Sequence, residues 1–193
     1  MTPKPEGRPR DPAISTALLQ VAERRMEAVG FGQLTVDGVV SEVGTTRQTF
    51  YRRYSSIALL VLEILQSRFS NPAEVNTGKL EKDLLTLQRN DVAMMNTQII
   101  QKNLPGLFEE MRTDAKVRQL YKERIVGPRR QNVADVQSRA RARGEIPRTD
   151  VDPEYICDLI LGSLLARVLL PTDLPIDDRL ARQTVATAHS ELR

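Results

Sequence analysis

The sequence is poor in the residues from which most reactive sites are built. Its 193 residues include one cysteine, Cys157, and one histidine, His189. A single cysteine excludes an internal disulfide, which suits a reducing compartment. One Cys and one His also leave no zinc-ligand set and no Cys/His dyad. Cys157 lies in the apolar stretch 155–170 and reads as a small buried hydrophobe. His189 reads as a satisfied or solvated side chain. There is no Gly-rich phosphate loop. The acidic pairs Glu109-Glu110 and Asp177-Asp178 are adjacent, so their carboxylates do not face each other on a helix. No catalytic constellation emerges, and no enzyme, cofactor or metal site is expected. No apolar run approaches the ~18 residues of a membrane span. The opening residues, MTPKPEGRPR, lack the apolar stretch of a signal peptide. A cytoplasmic location, with no membrane partner, is the expectation.

Aromatics are scarce, at 4%, and β-branched residues do not cluster in alternating runs. Gly and Pro fall mainly between long segments with helical spacing, so the chain reads as all-α. Residues 1–10 hold three prolines, one glycine and three basic residues and read as an extended arm. A first helix is expected over 11–29, with Asp11 as N-cap, Pro12 at its first position and Gly30 as its stop. Thr35 caps a short helix over 36–43, Gly44 breaks it, and Thr46 caps a third helix over 47–54. Ser56 caps a fourth over 57–69, apolar nearly all round and therefore sandwiched between layers. Further on, a helix over 79–102 is expected to end before Pro105-Gly106, with a short turn at 107–111. Another, over 114–143, is expected to kink or split at Gly127-Pro128. Asp152-Pro153 opens a helix reaching residue 170, and a last helix starts near 176–177.

Net charge is +3, and its distribution is uneven. Residues 122–148 carry eight Lys/Arg against three acids, whereas 149–178 carry seven Asp/Glu against one Arg. Charge runs of this kind usually mark solvated helix faces.

The segment TVDGVVSEVGTTRQTFYRRY, residues 35–54, has the parts of a helix-turn-helix: a capped short helix, a glycine turn and a second capped helix. The second helix would enter the major groove N-terminus first. Arg47 can grip guanine, Gln48 adenine, and Thr49 offers a hydroxyl and a methyl. Tyr51, Arg52 and Arg53 supply a phenol and two cations for phosphates.

These features, in this order, resemble the DNA-binding domain of the tetracycline-repressor (TetR) family of bacterial regulators. The match runs over residues 11–65, through AVGFGQLTVDGVVSEVG and TTRQTFYRRYSSIALL. A later stretch, RARGEIPRTDVDPEYICDLILGSLLARVLL, resembles the dimerisation part common in that family. The resemblance implies three parts: a flexible basic arm at 1–10, a helix-turn-helix DNA-binding domain at 11–56, and a helical ligand-binding and dimerisation domain at 57–193. It implies that Arg47, Gln48 and Thr49 touch base edges and that Tyr51 and Arg53 contact phosphates. Thr35 and Thr46 cap helices whose amides approach phosphates, and Thr45, Arg52 and Ser56 complete the implied DNA-binding set. Lys4, Arg8 and Arg10 of the arm are candidates for the minor groove or flanking phosphates. Two residues depart from the pattern. Ile57 stands where the family often has Lys, and Thr45 where an apolar turn residue is usual.

The resemblance further implies a homodimer on a double-stranded, near-palindromic operator, with Leu159, Gly162, Ser163 and Ala166 at the dimer interface. It also implies an unidentified small-molecule effector. Met94, Met95, Ile99, Leu104, Phe108, Met111 and Tyr121 are candidate chamber residues, with Met94, Phe108, Met111 and Tyr121 foremost. Repression is the family's default. Two alternatives stay open: a regulator that binds DNA without a ligand, and a helical dimeric interaction protein that has lost DNA binding, the reading Ile57 sustains.

Overall fold

A computed structural model describes residues 12–69, 74–148, 150–170 and 172–193, and every regular element among them is helical. The arm with Lys4, Arg8 and Arg10, and the Asp11 cap, lie outside the described residues.

The chain starts with α1 (Pro12–Val29), followed by a single 3-10 turn at Phe31–Gln33. Helix α2 (Val36–Val43) is capped as its sequence dictates: the Thr35 side chain accepts from the Gly38 amide at 3.1 Å, and Gly44 closes it in the left-handed region at φ 73°. In α3 (Arg47–Tyr51), Thr46 accepts from the Thr49 amide at 3.2 Å. This helix stops three residues short of the expected end, because the amides of Arg53 and Tyr54 both turn back to the Phe50 carbonyl. Helix α4 (Ile57–Phe69) buries Ala58, Leu60, Val61, Leu62, Ile64 and Leu65, so it is enclosed on most sides, as its composition requires.

The next segment corrects the expected helix over 79–102. Helix α5 (Leu80–Met95) ends early, and α6 (Gln98–Thr113) begins after a new cap at Thr97. Asn96 fixes the break by donating to the carbonyls of Val92 (3.1 Å) and Ile176 (2.6 Å). Pro105-Gly106, expected to terminate a helix, lies inside α6, and so does the expected turn at 107–111. Two features outweigh the lost Pro105 amide. Leu104, Leu107 and Met111 are buried on one face, and Gly106 admits Phe31, which a Cβ there would approach to 2.7 Å.

Asp114 caps α7 (Ala115–Tyr121), a π turn spans Lys122–Val126, and α8 covers Gly127–Ala142. The helical path therefore continues through Gly127-Pro128. Pro128 occupies the first turn of α8, where an amide has no essential partner. Asp152 caps α9 (Pro153–Leu169), and Asp177 caps α10 (Asp178–Leu192).

Two apolar clusters organise these helices. One joins α1–α4 to α6 and α7 and also takes in Met95 of α5, Leu164 of α9 and Leu180 of α10. The other joins α5, α8, α9 and α10. The buried Gln88 ties the second together, donating to the Ile160 carbonyl (2.6 Å) and the Thr184 hydroxyl (3.1 Å). The uneven charge also finds its place here. Arg130 of α8 pairs with Glu154 and Asp158 of α9 and so links the basic block to the acidic one across neighbouring helices.

Candidate nucleic-acid interface and effector cleft

Helices α2 and α3 are held to α1 by both packing and charge. Val39, Val40 and Phe50 are buried. Arg24 and Arg25 of α1 both reach Glu42 of α2, at 2.7 and 3.3 Å. The outward face of α3 then presents Arg47 and Gln48 exposed and Thr49 half-buried. Tyr51 is 55% exposed, yet its ring packs edge-on against Phe50 with centroids 5.5 Å apart. That contact fixes the direction of the phenol. Arg52 is exposed; Thr45 and Ser56 are half-buried; Thr35 and Thr46 are exposed at their helix starts. Ser56 accepts from the Leu59 amide at 3.4 Å, and Ile57 leans on the first apolar cluster.

Two arginines behave differently from what their positions suggest. Arg53 is a brace: its Nε donates to Ser15 Oγ (2.9 Å) and its Nη1 to the Thr49 carbonyl (3.0 Å), pinning the end of α3 to α1. Arg47 forms a two-pronged ion pair with Asp37, in the first turn of α2. The Arg47 guanidinium beside Asp37 holds its carboxyl below the usual carboxylate range, and Asp37 in turn raises Arg47. Asp37 in the first turn of α2 suits the helix dipole, and nothing else in the sequence marks it. A pair ten residues apart across a turn has no local signature.

A cleft of about 760 Å³ opens between α5 and α8, closed at one end by Phe69 of α4 and by the segment 74–77. That volume suits a drug-sized molecule. Met94 lines it, whereas Phe108, Met111 and Tyr121 do not. Phe108 and Tyr121 pack on each other, centroids 5.7 Å apart, and Met111 is buried with them in the first cluster. In the cleft wall Arg129 and Asp91 form a largely buried pair, and Arg129 Nη1 also donates to Cys157 Sγ at 2.8 Å. Burial raises the Asp91 carboxyl against the opposing pull of Arg129. Arg68 lines the cleft too, and its guanidinium bonds to Glu23 (2.9 Å) and Glu27 (2.7 Å) of α1. Sequence reasoning missed Arg68, Asp91 and Arg129, because their partners lie 38 or more positions away.

On α9, Ile156, Cys157, Ile160 and Leu164 face inward. Leu159, Ser163 and Ala166 are half-buried, and Gly162 is exposed with open space where a Cβ would stand. Tyr155, Leu169, Leu170 and Leu174 are exposed. Among the described residues no cluster of His, Cys, Asp and Glu is arranged to hold a metal, and no helix is long and apolar enough to cross a membrane.

Residues 18–64 match the family model described as bacterial regulatory proteins, tetR family. Residues 74–188, more than half the chain, match the model described as tetracyclin repressor-like, C-terminal domain. The chain is 27% identical over 185 residues to the uncharacterized HTH-type transcriptional regulator YdeS of Bacillus subtilis, covering 94% of this chain and 91% of that one. It is 29% identical over 170 residues to the DNA-binding transcriptional repressor TetR of Mycobacteroides abscessus, covering 85% of each. Its fold is similar to the crystal structure of the TetR family transcription regulator SCO0332, with TM-score 0.70 and 26% identity over 93% of this chain and 98% of that one. With its exposed recognition helix and its all-helical C-terminal body, the chain belongs to the tetR family of bacterial regulatory proteins, helix-turn-helix transcriptional regulators that bind DNA.

Proposed function

We propose that the protein is a ligand-responsive repressor that binds a near-palindromic operator as a homodimer. Residues 11–56 read the DNA; residues 57–193 carry the effector cleft and the partner surface. The exposed apolar residues Tyr155, Leu169 and Leu170, with Gly162 open for close approach, support α9 as the place where two copies meet. Such a dimer would set two recognition helices on half-sites about one turn, ~34–36 Å, or a multiple of it apart.

The observation that carries the ligand response is the double engagement of Arg68. The same residue lines the cleft and, through its guanidinium, holds α1 by Glu23 and Glu27. A molecule that favours one placement of α4 in the cleft therefore biases the placement of α1, and with it α2 and α3. Helix α6 adds a second tie, since Lys102 donates to the Glu27 carbonyl at 2.6 Å and Asn103 to the Met26 carbonyl at 3.0 Å. Ligand binding then shifts the population toward a helix spacing that does not fit the operator.

The test is selection of bound duplexes from a random DNA pool, followed by titration against salt. An enriched near-palindrome with a steep salt slope is the expected result. No enrichment, with weak binding only at low salt, would remove the operator reading and return the chain to an interaction module. Lys4, Arg8 and Arg10 are proposed to touch phosphates. Deletion of residues 2–10 is expected to weaken all sequences alike and flatten the slope, and an unchanged slope refutes that role.

A further inference from the structure

The chemistry of the cleft wall narrows its ligand. Each of its four charged residues is already matched within the protein. Arg129 is paired with Asp91, Arg68 with Glu23 and Glu27, and Glu74 with Arg139 at 3.5 Å. A charged ligand would surrender its hydration and find every opposite charge engaged. The hydroxyl protons are also committed, that of Thr86 to the Lys82 carbonyl (2.8 Å) and that of Thr77 to the Lys79 carbonyl (3.4 Å). Three side-chain amides line the same wall with no hydrogen bond to any described residue: Asn76, Asn90 and Asn132. Each amide can donate and accept. The remaining wall is hydrocarbon and ring, with Leu87, Ile125, Val133 and Phe69.

We infer that the cleft takes an uncharged, drug-sized molecule with an apolar body and amide, carbonyl or hydroxyl groups that bond to Asn90 and Asn132. The inference rests on the ligand-responsive reading above and specifies its effector class. An uncharged ligand leaves the Arg129–Asp91 pair intact and uses groups that otherwise bond only to water. Its oxygens take the free amide donors while its body displaces water from Leu87 and Val133.

The experiment uses the full-length protein and four probes sharing one body: naphthalene-2-carboxamide, 2-naphthoate, 2-naphthylmethylammonium and 2-methylnaphthalene. The chain has no tryptophan, so naphthalene emission reports binding without indole overlap. The carboxamide is expected to bind at least tenfold tighter than either ion and tighter than 2-methylnaphthalene. Asn90→Leu with Asn132→Leu is expected to lower carboxamide affinity about tenfold while leaving 2-methylnaphthalene affinity unchanged. Either ion binding as tightly as the carboxamide overturns the inference, and so does failure of all four probes to bind. Operator affinity, measured in parallel, separates the two readings. A bound carboxamide that leaves operator affinity unchanged keeps the ligand class and removes the response. A bound ion that releases the operator keeps the response and overturns the class.

Discussion

The candidate DNA-reading face and the proposed effector cleft are built on different scales. Among the described residues the side chains of the first come from 35–56, and its helix starts are set by caps that act within three residues. The cleft draws on α4, the segment 74–77, α5, the π turn and α8, and its ionic contacts span 38 positions or more. Local construction lets a short motif carry the function and leaves its stability in the hands of the packing behind it. Distributed construction would let a ligand in the cleft contact several helices at once. The price is that a single broken pair disturbs all of them.

The largest effect is therefore expected in the cleft. Asp91→Ala would leave Arg129 without its carboxylate in a wall where the two side chains are only 15% and 14% exposed. Losing one partner of such a pair costs about 3 kcal/mol or more. For a chain of this length that lowers Tm by roughly 6–12 °C. Asp91→Leu combined with Arg129→Met removes both charges and is expected to recover most of the loss. Thermal unfolding of both variants decides it. If Asp91→Ala melts like the parent, the cleft is not held by that pair, and the contrast with the motif weakens.

Within the motif the expected effects fall on recognition rather than on stability. Arg47→Ala should cost about 1–3 kcal/mol of discrimination at one position of each half-site. Asp37→Asn sharpens the point. Asp37 competes with DNA for Arg47 and places a negative charge near phosphates, so its neutralisation is expected to raise operator affinity with little change in Tm. Duplex selection and binding titrations measure both. A fall in affinity for Asp37→Asn would mean that Asp37 aims Arg47 at its base rather than holding it back.

The same contrast of scale governs what was legible beforehand. The bounds of α2 and α4 coincide with the expected 36–43 and 57–69, because Thr35, Gly44 and Ser56 act locally. The path of α6 through Pro105 was not legible. Nothing near Gly106 announces that Phe31, some 75 positions earlier, needs the space. The break at Asn96-Thr97 had one local sign, the Thr97 cap, but half of its cause is the Ile176 carbonyl. The charge blocks at 122–148 and 149–178 looked like solvated faces. Arg130 links the first to Glu154 and Asp158 of the second because α8 and α9 are neighbours, which is a property of the fold. For the candidate sites, the exposed face of α3 was readable from its motif, whereas Asp37, Arg68, Asp91 and Arg129 became visible only with the contacts.

A smaller loss is expected at the caps. Thr46 Oγ1 accepts from the Thr49 amide and meets Thr49 Oγ1 at 3.0 Å. Thr46→Ala removes both and should cost about 1 kcal/mol. Chemical denaturation measures it, and rescue by Thr46→Ser identifies the hydroxyl as the cause.

The smallest effect tests whether the two regions communicate through the body. Asp178 joins α10 to α5 through Arg89 at 2.6 Å and is also bonded to Arg182 at 2.7 Å. Those two arginines, Arg89 first, lower its carboxyl from 3.8 to about 2. A depressed carboxyl contributes stability that is fully present above its unfolded value of 3.8 and is lost as pH falls toward about 2. Asp178→Asn should therefore melt slightly below the parent at neutral pH. The gap should close by about pH 2, and it should shrink at high salt because the pair is exposed. Operator affinity at neutral pH should not change, since the two ion pairs of Asp178 lie within α10 and between α10 and α5, not on α1–α3. If affinity follows Tm, the ionic contacts of the second cluster reach the recognition helix. The division between a locally built reader and a distributed sensor would then have to be redrawn around α6, which bonds to α1 through Lys102 and Asn103.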